Sequence, residues 1–122
     1  MIGDLYAMFR DNIDSPFQIK DIEELTCFAD YRIPQILAHE GVLVYSQELK
    51  EHIASQKEMP YGSQYEVEIR GCMIQAVEQI KSSLNKLGVN WNSVEVDWLL
   101  WQIGEEARFT LEPHHKVLSI FY

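Results

Sequence analysis

The sequence predicts a mainly α-helical domain that ends in a short C-terminal strand or an extended tail. Three observations carry this: an apolar stripe with helical spacing, helix-start and helix-stop residues around several segments, and a composition able to bury a core. The stripe is Ile69, Met73, Ala76, Val77, Ile80, Leu84 and Leu87, stepping by three and four as a core-facing helix requires. Ser63-Gln64-Tyr65-Glu66 opens it as a capping box and Gly88 follows it, so a helix is expected from Ser63 to Leu87. The 122 residues, 47% of them hydrophobic and 11% aromatic, make one compact domain over residues 1–122 the simplest expectation. No repeat, low-complexity tract or Pro/Gly-rich linker divides the chain.

The remaining elements follow in order. Asp4 to Phe9, apolar on one side, reads as the tail of a helix and ends in the turn-like Asp14-Ser15-Pro16. Asp21 with Glu24 three residues later repeats the capping pattern and predicts a short helix to about Phe28. Pro34 is comfortable in a first helical turn, so a helix is expected from about Ile33 to Glu40, stopped by Gly41. Another runs from Ser46 to about Ser55, with Leu49 and Ile53 on one face. After the Asn90-Trp91-Asn92 turn, Val94 to Glu105 is apolar nearly all round, which fits a helix buried on several sides or a central strand. Val117 to Tyr122 is short and β-prone.

Charge and cysteine usage narrow the function classes. Nineteen acidic against ten basic residues give a net charge of -9, which repels a polyphosphate backbone and argues against binding a nucleic-acid polymer. Cys27 and Cys72 show no CxxC or zinc-ligand spacing and read as buried, reduced thiols. Neither a signal-peptide pattern nor an apolar run of roughly 18–20 residues is present, so a soluble cytoplasmic protein without a membrane role is expected.

Two carboxylates stand out. Asp97 interrupts the most apolar segment, between Val96 and Trp98, where an ionised acid is costly unless paired or hydrogen-bonded. It is either a capping or salt-bridging acid or a site carboxylate with a shifted pKa. Asp30 falls in the break between two expected helices, where it either caps the second helix or points into a cleft. Arg32, Arg70, His114, His115 and Lys116 are the cations near these segments. Adjacent His114 and His115 lack the spacing of a metal pair, so neither a metal nor a cofactor is assigned.

Four ordered strings are individually unusual. They are Leu25-Thr26-Cys27-Phe28-Ala29-Asp30-Tyr31-Arg32-Ile33-Pro34-Gln35, Glu66-Val67-Glu68-Ile69-Arg70-Gly71-Cys72, Val96-Asp97-Trp98-Leu99-Leu100-Trp101, and Pro113-His114-His115 running on to Ile120-Phe121-Tyr122. Together they make the chain similar to the queuosine salvage family of queuosine 5'-phosphate N-glycosylases, whose fold resembles the helical DNA glycosylases. The resemblance covers nearly the whole chain but only the C-terminal part of the family, so an N-terminal half is expected to be missing here.

The resemblance implies hydrolysis of the N-glycosidic bond of queuosine 5'-monophosphate, a small-molecule substrate, releasing queuine for reuse in tRNA modification. A non-catalytic helical scaffold or binding domain derived from the family is the alternative. Asp97 is then expected to stabilise the sugar cation or activate water, and Asp30 to hold ribose hydroxyls or share the catalysis. Phe28, Tyr31, Trp98 and Trp101 offer faces for the base or else pack in the core. Arg32, Gln102, Glu106 and His115 complete the expected substrate contacts. The resemblance leads to the expectation of an acid, present in many relatives, where this chain has Gln102, with Glu105 and Glu106 able to supply the charge. Only Lys116 follows the His pair, where relatives favour a basic stretch. A modified base bearing a protonated amine also fits the acidic balance.

Overall fold

The computed structural model of the chain describes residues 2–12 and 14–119. Five α-helices dominate, in the order α1 (Ile2–Phe9), α2 (Arg32–His39), α3 (Gln47–Ala54), α4 (Gln64–Lys86) and α5 (Ser93–Glu106). Two-residue strands β1 (Glu58–Met59) and β2 (Lys116–Val117) pair in parallel, Glu58 opposite Lys116 and Met59 opposite Val117. The mainly helical expectation is borne out, and the β-prone end supplies one short strand. Ile120, Phe121 and Tyr122, also part of that expected strand or tail, lie outside the described residues.

Helices α2, α4 and α5 pack on one another. Their shared core is Cys27, Ile33, Leu37, Met73, Ala76, Val77 and Val96. Leu49, Ile53, Met59 and Ile69 form a second cluster, joining α3 and the strand pair to the first half of α4. Each fully buried Ile, Leu or Met side chain contributes about 1.5–3 kcal/mol relative to exposure, so these stripes fix how the helices face. Asn92 starts α5 with a complete capping box: its side chain accepts from Glu95 N–H, and the Glu95 carboxylate accepts from Asn92 N–H. Ser46 likewise caps α3 by accepting from Leu49 N–H. Gly41 and Gly88 follow α2 and α4 at φ 73° and 87°, the left-handed geometry that ends helices and favours glycine.

Several local expectations need correction. Asp21 makes no side-chain cap bond, and only a 3-10 turn, Ile22–Glu24, follows it. The chain beyond stays extended because its polar groups bond to distant helices: Thr26 Oγ1 donates to Glu78 Oε1 at 3.0 Å and Phe28 N–H donates to Asp97 Oδ1 at 3.1 Å. Ser63 does accept from Glu66 N–H, but Glu66 answers one residue earlier than a capping box requires, taking Gly62 N–H at 2.6 Å. Leu87 closes the predicted stripe yet is 80% exposed, since α4 outruns its partners. Helix α5 is not buried all round, because Leu99, Trp101 and Ile103 face outward. Both cysteines are free thiols, Cys27 buried and Cys72 exposed.

Candidate active site

The two suspicious carboxylates come from different elements and reach the same region. Asp97 lies early in α5 and is only 6% exposed. Burial pushes its pKa up to about 7; the Phe28 N–H bond opposes this and the Asp30 charge adds to it. Asp30 lies in the stretch before α2 and accepts from Ile33 N–H at 3.0 Å. Burial raises its pKa as well, opposed by N–H groups of Ile33 and Arg32 and by the charges of Arg32 and Arg70. Of the two alternatives left open by the sequence, the bond to Ile33 N–H supports the first, since Asp30 braces the start of α2, and its charge also acts on Asp97. Two like charges in a poorly solvated place do not ionise together easily, so the pair binds protons more tightly than free carboxylates.

The surroundings separate the other expected residues. Arg32 is buried and held at all three nitrogens: Nε and Nη2 reach Glu105 Oε1 at 2.8 and 2.7 Å, and Nη1 donates to Gln35 Oε1 at 2.6 Å. Its guanidinium also sits 5.2 Å from the centre of the Tyr31 ring. These bonds fix its position between α2 and α5. Tyr31 in turn lies against His114, ring centres 4.3 Å apart. Phe28 is 49% exposed, its ring edge beside Gly3 of α1. Trp101, one helical turn beyond Asp97, is 47% exposed, whereas Trp98 stacks on Tyr6 of α1 at 6.2 Å. Gln102 and Glu106 are exposed on α5. Glu105, not Glu106, holds Arg32.

His115 is buried, and its Nε2 is buried without a hydrogen-bond partner. Burial, with help from the Arg70 and His114 charges, drives its pKa down to about 4, so the imidazole is neutral at pH 7. Sequence reasoning gave no role to Arg70, which proves central. Its guanidinium bonds the Glu66 carboxylate at 2.9 Å and donates to the Ala29 carbonyl, and its charge acts on Asp30 and His115 alike. The signal was present as an acid and a base four apart on a helix. Tyr6 left no signal, because its importance arises only from α1 packing on α5. Cys27, pushed up to about 12 mainly by burial, is no thiolate nucleophile. Among the described residues, no group of three or more His, Cys, Asp and Glu side chains is arranged to hold a metal ion, and no helix is long and apolar enough to cross a membrane.

One glycine locks this geometry. A Cβ on Gly104 would lie 2.7 Å from Arg32 Cδ and 2.8 Å from Cγ, the middle of a side chain pinned at its far end. Gly104→Ala should therefore cost about 1–3 kcal/mol, read as a lower midpoint in urea unfolding with an unchanged slope. A variant as stable as the wild type would show that Arg32 is not held as described.

A family model described as "Queuosine salvage protein" matches residues 1–122. A Dictyostelium discoideum protein named queuosine 5'-phosphate N-glycosylase/hydrolase is 43% identical over 121 residues, 99% of this chain and 37% of its own length. Proteins of the same name from Sphaerobacter thermophilus and Bos taurus are 39% and 35% identical over all of this chain, covering 37% and 38% of their own lengths. The chain thus spans a little over a third of the length of these relatives.

Proposed function

Because the chain belongs to the queuosine salvage protein family, we propose that it carries the carboxylate pair that hydrolyses the N-glycosidic bond of queuosine 5'-monophosphate, freeing queuine. The observation that carries this reading is the burial of both Asp30 and Asp97, with the Asp30 charge close enough to raise the Asp97 pKa further. Breaking a ribosyl N-glycoside builds positive charge on the sugar, and a fixed carboxylate where water is scarce stabilises that charge strongly. Asp30, flanked by two cations and two N–H donors, is the acid that ionises first and supplies the anion. Asp97 has no cation among its influences and is about half protonated near pH 7, which suits it to move a proton to or from water and the departing base. The leaving base is a deazapurine without the N7 acceptor of ordinary purines. Stabilising the sugar cation therefore matters more than protonating the base. Phe28 and Trp101, both half exposed, offer their faces to the planar base. Trp98 supports the site from behind through Tyr6. Gln102 and Glu106, exposed on α5, the Tyr31 ring and His115 are the remaining candidates for contacts with the nucleotide.

A second reading follows from the covered length: the chain binds the nucleotide but needs the rest of its relatives' length to turn it over. Queuine release from queuosine 5'-monophosphate tests both readings, assayed on the chain alone and joined to the unmatched portion of the Dictyostelium relative. Release is expected in at least the joined form, and Asp30→Asn and Asp97→Asn should each lower it by about 100-fold or more. Release only in the joined form favours the second reading. No release in either form, or undiminished release in both variants, overturns the assignment.

A further inference from the structure

Away from the carboxylate pair, α2, α3 and the segment 112–115 enclose a pocket of about 410 Å³. That volume lies within the roughly 300–1,000 Å³ range of small-molecule sites. Its lining includes neither Asp30 nor Asp97, and it is poor in the acids that dominate the rest of the protein. In a chain with a net charge of -9, the lining offers one ammonium, Lys50, and three imidazoles, His39, His114 and His115, beside a single carboxylate, Glu112. That carboxylate is already engaged by His39 Nδ1 at 3.3 Å, while the Lys50 ammonium has no ion-pair partner among the described residues. Gln35 Nε2 donates to the Glu112 carbonyl at 2.5 Å and ties the segment to α2. Ala38, Ile53 and Pro113 provide apolar wall.

A second, independent observation concerns His115, which also lines this pocket. It is 4% exposed, and its Nε2 has no hydrogen-bond partner. Buried polar atoms in native proteins are nearly always paired, so an unpaired one beside a cavity points to a missing ligand. His114 and His39 each use Nδ1 within the protein, for the His115 carbonyl and for Glu112, and each keeps Nε2 in reserve. The Lys50 ammonium, together with Nε2–H donors on His39 and His114 when those rings are protonated, suits a group with several terminal oxygens better than it suits a lone carboxylate.

We propose that this pocket is a second binding site, for a phosphate monoester on a compact body such as a sugar phosphate, with Lys50 and His114 on the phosphate and His115 Nε2 closing the floor. The inference stands on the pocket alone and does not need the glycosylase reading. Its contact with the carboxylate region is through Tyr31, which lies on His114.

An amide NMR titration of the whole chain with ribose 5-phosphate, inorganic phosphate and ribose tests it. Ribose 5-phosphate should shift the signals of Lys50, His114 and His115 saturably, inorganic phosphate should compete, and ribose should do neither. Lys50→Ala, at an exposed position, should weaken binding about tenfold with the spectrum otherwise intact, whereas Asp97→Asn should bind as the wild type does. Absence of saturable shifts, or affinity indifferent to Lys50→Ala, overturns the site. Queuosine 5'-monophosphate and queuosine then separate the sources. Shifts of the same signals by the nucleotide only mean that the pocket takes the substrate's own phosphate, and shifts by neither assign it to a separate ligand.

Discussion

At pH 8 the Asp97→Asn chain is expected to unfold at a higher temperature than the wild type. Asp97 has a folded-state pKa of about 7 against an ordinary value of 3.8, so folding favours its protonated form. Stability from this group is fully present below about pH 4 and is lost as pH rises through about 7. A gap of about three pH units corresponds to about 4 kcal/mol of burden on the folded state at high pH. Asparagine carries no charge, and its Oδ1 can keep the Phe28 N–H bond, although the new amide hydrogens need partners of their own. A net gain of about 2–3 kcal/mol is expected at pH 8, or roughly 10 °C in Tm for a chain of this size. At pH 4 the advantage should vanish. Melting curves of both proteins across that range decide the matter. An Asn variant that melts lower at every pH would make Asp97 a structural acid. Greater stability joined to lost hydrolysis is the pattern of a charge kept for function.

Arg70→Met should be the most damaging single substitution. Glu66 is 3% exposed, and the Arg70 guanidinium, with 13% of its side chain exposed, is its charged partner. Removing one member of a buried pair leaves the other charge uncompensated and typically costs about 3–5 kcal/mol. The Ala29 carbonyl loses a donor as well, next to Asp30. Without the Arg70 charge, Asp30 should hold its proton to still higher pH, so any remaining hydrolysis should have its rising limb displaced upward. Glu66→Gln combined with Arg70→Met should recover part of the lost stability, because no buried charge is then stranded. Urea midpoints for the two single variants and the double variant give the coupling directly. A double variant no more stable than Arg70→Met would remove the ion pair from the explanation.

Much of the helical framework was legible in the sequence because it rests on local patterns. The Ile69 to Leu84 stripe, the helix start at Ser46, the cap at Ser63, and the stops at Gly41 and Gly88 all act within a few residues of where they are read. Failures came where distant partners outweighed local preference. Asp21 carries a helix-start pattern, but Thr26 and Phe28 bond across the fold and hold the following chain extended. Leu99, Trp101 and Ile103 have the composition of a core helix yet face outward on α5. Asp97 was conspicuous because a charge interrupts an apolar run. Its pairing with Asp30 depends on α5 and the start of α2 meeting in space, which no spacing reveals. The commitment of Arg32 to Glu105 and the pocket under α3 are likewise products of tertiary packing.

The carboxyl titration of Asp97, followed by carbon NMR in the wild type and in Asp30→Asn, tests the central pairing most directly. The expected midpoint is about 7 in the wild type, raised mainly by burial, and it should fall measurably once the Asp30 charge is gone. A wild-type midpoint near the ordinary aspartate value of about 4, or one that Asp30→Asn leaves unmoved, would contradict a shared carboxylate site.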